Sequence, residues 1–201
     1  MKSSALFLWV YEWHLGGICS NINGRNILGM GEGLLRVLGI DPGTATTGIG
    51  VVDYLQGKEQ LIHYGTIRTP PEMEMHLRLL KIHQELNEIL DEYLPEAVAI
   101  EQLFHQKNAK TVITVAQARG VLMMTPAARN LEIYEYTPLQ VKQAVCGYGS
   151  ADKRQVQLMV QNILHMQNIP KPDDAADALA IAICCIHSHR MAKVYKGGTS
   201  V

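Results

Sequence analysis

Apolar and polar residues settle into a readable alternation only from about residue 35. "LRVLGID" (35–41) reads as a strand closing on Asp41, and "GIGVVDY" (48–54) as its hairpin partner across a Pro-Gly turn full of hydroxyls. "QLIHYGTIRT" (60–69) reads as a third antiparallel strand. Pro70 and Pro71 stop the sheet, and the period then changes. Met75, Leu79, Ile82, Leu86, Ile89 and Tyr93 recur at steps of four and three, which predicts a helix over roughly 72–94 with one buried stripe, ended by Pro95. "EAVAIEQ" (96–102) is a short buried strand finishing at Glu101, and "LFHQKNAK" (103–110) is a polar loop. An apolar, mostly helical stretch fills 111–129, and "LEIYEY" (131–136) is the last strand. Pro138 suits the start of a helix for "PLQVKQAV", "GYGSADKR" (147–154) is a Gly-bearing loop, and "QVQLMVQNIL" is a further helix. After Pro170 and Pro172 comes a final helix, "DDAADALAIAICCIHSH". Three strands, a helix, then alternating strands and helices predict an α/β protein with a mixed five-stranded sheet and helices on both faces.

Composition changes this picture little. The chain has 201 residues, 47% hydrophobic and 18% charged, enough for one globular domain with a real core. The formal net charge of −1 advertises no polyanionic partner, although a local basic patch opposite an acidic site would cancel in the total. The four cysteines show no metal-ligand spacing, and the Cys184–Cys185 pair sits in an Ala/Ile run, so reduced buried thiols and a cytoplasmic location are expected. "ALFLWVY" near the start is too short to span a bilayer, and the tract from Gly16 to Gly33 is rich in Gly and Asn, with no period. Residues 1–33 are therefore expected to be a poorly ordered extension, 34–190 the working domain and 191–201 a flexible tail, with no membrane contact.

The chemistry lies in the acids. Asp41 and Glu101 each end an apolar strand, at the sheet edge where α/β proteins bind ligands. Asp174 and Asp177 stand at i and i+3 on the first turn of the last helix, on one face. Each acid also has an ordinary explanation: a turn residue, a solvated strand end, a favourable charge at a helix N-terminus. Together, on a helix otherwise lined with alanine, they would repel one another unless hard divalent cations bound between them. Asp173, rotated roughly 100° from Asp174, is read as a cap. Between Phe104 and Arg154 seven cations face three anions, a local excess that fits either a solvated face or a DNA surface. Gly43 and Gly48 are positions where the backbone is expected to be approached closely.

"GIDPGTATTGIGVV", "AIEQLFHQKNA", "AQARGV", "QVKQAVCGYGSADKRQVQ" and "DAADALAIAI", in this order, resemble the RuvC family of Holliday junction resolvases from about Leu35 to His189. The resemblance implies a ribonuclease-H-like fold over 34–190, a homodimer, and a metal-dependent endonuclease that cuts four-way DNA junctions to 5′-phosphate and 3′-hydroxyl ends. It implies that Asp41, Glu101, Asp174 and Asp177 are the catalytic metal ligands, holding about two Mg²⁺ ions per subunit, with Mn²⁺ expected to substitute. Lys142 and Lys153 match the family's DNA-contacting lysines. Phe104 matches an aromatic that stacks on bases at the crossover, and Lys107 and Arg154 are expected to bind DNA beside them. A branch-migration helicase is implied as partner by the resemblance alone. The apolar segment 111–128 is the expected dimer interface. Rival readings are a related ribonuclease-H-like nuclease acting on RNA or other branched DNA, an actin-like ATPase fragment, whose first phosphate loop looks like "GIDPGTATTG", and a catalytically idle DNA-binding module.

Overall fold

The computed structural model describes residues 33–102 and 109–197; residues 1–32 of the expected extension lie outside that range. Strands β1 (Leu35–Asp41), β2 (Thr46–Leu55) and β3 (Lys58–Arg68) form the antiparallel meander. Helix α1 (Met75–Tyr93) leads to β4 (Ala97–Glu101), α2 (Ala109–Ala127) to β5 (Glu132–Tyr136), and α3 (Pro138–Cys146), α4 (Lys153–Ile163) and α5 (Asp173–Gly197) follow. The strand order is β3-β2-β1-β4-β5, with β4 parallel to β1 and β5 parallel to β4. The mixed five-stranded sheet expected from the alternation is the one observed.

Side chains alternate across a strand, and the two cores divide accordingly. Leu38, Ile40, Ile49, Val51, Val98 and Ile100 pack under α1 and α2 with Ile82, Leu86, Ala118 and Leu122. Val37, Val52, Ala97 and Ala99 pack on the other face against α3, α4 and α5. Residues 37, 39 and 41 of β1, and 97, 99 and 101 of β4, therefore face α5. This helix lies close to the sheet because its contact residues are small. A Cβ at Gly39 would run into the Ala178 carbonyl oxygen and stand 2.7 Å from the Ala182 nitrogen. Among the described residues, no helix is long and apolar enough to cross a membrane.

Several boundaries differ from the sequence reading, each for a local reason. The α1 helix begins at Met75 rather than 72, once the Pro70-Pro71 turn is complete, and Leu90 joins its buried stripe. It ends just before Pro95, as expected, and its last turn is closed by Leu94, which adopts φ 47° and donates its N–H to the Leu90 carbonyl, the αL cap that usually falls to glycine. "GYGSADKR" is not all loop. Asp152 caps α4 and exchanges hydrogen bonds with Gln155, so Lys153 and Arg154 are helical; the D-x-x-Q spacing is the sequence signal for it. Thr137 and Gln140 form the same reciprocal cap at α3, with Pro138 at its first turn. The α5 helix continues through Gly197, past His189 and into the stretch expected as tail.

Candidate active site

The pairing register brings the strand-end acids together. Ile40 of β1 pairs with Ile100 of the parallel β4, so the next residues, Asp41 and Glu101, end neighbouring strands on the same face. Adjacent strands run roughly 4.8 Å apart, and both carboxylates lie under the opening turn of α5. On the other side Asp41 pairs with Gly48 of β2. A Cβ on Gly48 would collide with the Asp174 carbonyl oxygen and stand 3.1 Å from the Asp41 Cβ. Gly48 thus lets the α5 turn carrying Asp174 settle beside Asp41, the close approach expected of it. Gly43 has the other role: a Cβ there would strike the Thr46 carbonyl, and its own carbonyl accepts from Thr47 Oγ1 at 2.7 Å, closing the turn.

Electrostatics record the proximity. Asp41 is pushed up to about 7, first by desolvation and then by Glu101, Asp177 and Asp174. Glu101 is raised to about 6 by desolvation and by Asp177. Asp177 is raised by desolvation, partly offset by Lys153. All four acids singled out in the sequence therefore belong to one cluster of interacting charges. Among the described residues, no three His, Cys, Asp or Glu side chains form a ready-made metal cage. The donor chemistry nonetheless fits a hard dication: carboxylate oxygens on two strand ends and one helical turn, desolvated and mutually repelling, a set that Mg²⁺ or Mn²⁺ would relieve.

A cleft of about 200 Å³ opens beside the acids, lined by Glu101, Asp177, Lys142 and Lys153 over an apolar floor that includes Val141, Val156 and Ile181. Lys153 Nζ lies 3.1 Å from Asp177 Oδ2 and 3.4 Å from Asp173 Oδ2. Burial lowers the Lys153 pKa, but these two carboxylates outweigh it and the net shift is upward. Arg154 is exposed on the first turn of α4 and does not line the cleft. Phe104 and Lys107 lie outside the described residues.

Other expectations need correction. Asp173 is not a cap: Pro172 supplies the carbonyl that receives the N–H groups of Ala175 and Ala176. Its side chain instead meets Lys153 and Gln157. Two cations of the supposed DNA surface are internal ties. Arg119 bonds the Glu101 carbonyl at 3.2 Å and pairs with Glu135, and Arg129 holds Asn87 and Asp91 of α1. Gln157, which orients Asp173, is not among the residues the sequence points to; its only signal is falling four residues after Lys153 on a helix.

A central β1–β4 pair ending in adjacent acids, crossed by a helix that adds more, inside the order β3-β2-β1-β4-β5, defines the ribonuclease-H-like fold class. The family model described as "Crossover junction endodeoxyribonuclease RuvC" matches residues 37–185. The chain is 61% identical over 157 residues to a protein of that name from Syntrophomonas wolfei, covering 78% of this chain and 91% of that one. It is 53% identical over 157 residues to another of that name from Caldanaerobacter subterraneus, covering 78% and 95%. Its fold is similar to that of the structure "T. thermophilus RuvC in complex with Holliday junction substrate", with a TM-score of 0.75 and 38% identity over 79% of this chain and 96% of that one. The chain belongs to the RuvC family.

Proposed function

We propose that this protein is a metal-dependent endonuclease that resolves Holliday junctions in recombination and repair, nicking two strands symmetrically and leaving 5′-phosphate and 3′-hydroxyl ends. The observation that carries the reading is the convergence of four carboxylates beside a cleft walled by Lys142 and Lys153. It is supported by the T. thermophilus relative, which was solved in complex with a Holliday junction as its substrate.

Asp41, Glu101, Asp174 and Asp177 would hold Mg²⁺, with Mn²⁺ as a substitute and about two ions per subunit. Bound there, such ions supply an acidified water for attack and charge stabilisation for the departing oxygen. The chain's own share is positional. The ends of β1 and β4 fix two carboxylates on the most rigid elements available, and the packing of α5 on glycine fixes the other two. Lys142 and Lys153 bind phosphates at the lip of the cleft and counter charge developing on the phosphate. Arg154 adds a phosphate contact outside the cleft. Phe104 and Lys107, a few residues past Glu101 in the chain, serve as a base-stacking aromatic and a further backbone contact.

Matched nicks on two strands need two sites related by a twofold axis. On α2, Ile113, Ala116, Gly120 and Met124 recur at steps of three and four on the exposed side, opposite the buried Ala118 and Leu122; Ile113 and Met124 are 62% and 56% exposed. This apolar stripe is the proposed seat of a second copy. Work on chromosomal DNA in the cytoplasm, beside a branch-migration helicase, completes the reading. The test supplies Mg²⁺ and equal amounts of labelled four-way junction, duplex and RNA–DNA hybrid. Paired symmetric nicks confined to the junction are expected; equal cutting of duplex or hybrid would overturn the assignment.

A further inference from the structure

Asp173 is the first residue of α5 rather than the residue before it, and the Pro172 carbonyl receives the N–H groups of Ala175 and Ala176. Its carboxylate turns to α4. Oδ1 accepts from Gln157 Nε2 at 3.0 Å, and Oδ2 lies 3.4 Å from Lys153 Nζ. Lys153 and Gln157 stand at i and i+4 and so share one face of α4. Gln157 is buried at 9% exposure, whereas the Lys153 side chain is 54% exposed. A fixed amide therefore holds the carboxylate that in turn holds a movable ammonium.

The two anchors of Lys153 are not equivalent. Asp177 is one of the four converging acids, and an ammonium and a dication compete for the same oxygens. Once Asp177 is drawn to an ion, Lys153 keeps, among the described residues, only Asp173. Without that second anchor its flexible four-carbon stem would leave the ammonium free to explore solvent. We propose that Asp173 is a positioning residue for Lys153, keeping its ammonium at the lip of the cleft, against the phosphate to be cut, when Asp177 turns to the metal ions. The proposal rests on the junction-cleaving reading above. Because the tether orders one contact among many to the DNA backbone, its loss falls on the cleavage step more than on binding.

The test is a double-mutant cycle in Mg²⁺, with cleavage of a four-way junction measured under single-turnover conditions for wild type, Asp173→Ala, Asp173→Asn, Lys153→Ala and the Asp173→Ala/Lys153→Ala pair. Asp173→Ala is expected to slow cleavage roughly 5- to 20-fold while junction affinity in Ca²⁺ changes less than about twofold. Asp173→Asn keeps an oxygen acceptor and is expected to recover most of the rate. In the Lys153→Ala background, Asp173→Ala is expected to cost nothing further. A second readout needs no DNA: in the Mg²⁺-loaded protein the ¹⁵N ammonium signal of Lys153 should persist in wild type and vanish by solvent exchange in Asp173→Ala. An equal loss of rate from Asp173→Ala with and without Lys153, or an ammonium signal unchanged in the variant, would overturn the tether. A wild type that binds the junction without cutting it would overturn the functional reading instead, and the ammonium signal would still decide the tether.

Discussion

The two ends of β1 carry opposite solutions to the same problem of buried charge. At its start, Arg36 pairs in register with Asp53 of β2 and grips both carboxylate oxygens, at 2.6 and 2.8 Å, while a third guanidinium bond reaches the Tyr93 carbonyl at 2.8 Å. That end is finished: the carboxylate has its cation, and the fork also ties the end of α1 to the sheet. At the other end Asp41 meets Glu101, Asp174 and Asp177, and its pKa climbs to about 7. Among the described residues, Lys153 is the cation that reaches this cluster, and it is shared with Asp173, outside the four. One strand thus shows what the fold does with charge when stability is the goal, and what it does when a site must remain short of positive charge. On the function proposed above, the deficit at the Asp41 end is what divalent cations would relieve.

Substitutions at the two ends should separate. Asp41→Asn is expected to cut junction cleavage at least about a thousandfold, while junction binding in Ca²⁺ stays within a few-fold. Without metal at pH 8 the same variant should unfold above wild type, because a repelling charge has gone; differential scanning fluorimetry measures it, at roughly 2–4 °C per kcal/mol for a chain of this size. Arg36→Ala should do the reverse. Leaving Asp53 buried without its partner costs about 3 kcal/mol or more, read as a lowered denaturation midpoint, while the cleavage rate per folded molecule is kept. Gly48→Ala should cost about 1–3 kcal/mol and also slow cleavage, since the α5 turn that carries Asp174 must shift away from Asp41.

The smallest expected effect is on pH dependence. Asp41 and Glu101 are raised to about 7 and about 6, so the folded protein holds protons that the unfolded chain has already released. Their contribution to stability is therefore greatest below the ordinary carboxylate range and is lost as pH rises through about 6 and 7. Metal-free protein should lose a few degrees of melting temperature between pH 5 and 8, less so in Asp41→Asn, and saturating Mg²⁺ should flatten the curve.

Much of the architecture is legible in the sequence because it is written in period. Alternation marks β1 to β3, the strand ends mark Asp41 and Glu101, and a spacing of three marks Asp174 and Asp177. What escapes has no period. Arg36 and Asp53 are 17 residues apart, Arg119 reaches a carbonyl 18 residues away, and Arg129 reaches Asn87 across 42. Such pairs exist only once the sheet register and the seating of α1 against α2 are known, which is why a count of charges alone assigns Arg119 and Arg129 to a DNA surface. Asp173 misleads for the opposite reason: a local rule about helix starts explains it too readily, while its partners come from α4. The cap at Leu94 breaks the preference for glycine and cannot be read from composition.

Calorimetric titration of Mn²⁺ into metal-free protein at pH 8, wild type beside Asp41→Asn, tests the central claim most directly. Wild type is expected to bind dications and the variant to lose at least about tenfold in affinity, with no comparable loss in Arg36→Ala. Equal Mn²⁺ affinity in wild type and Asp41→Asn would contradict the shared-cation site at the end of β1.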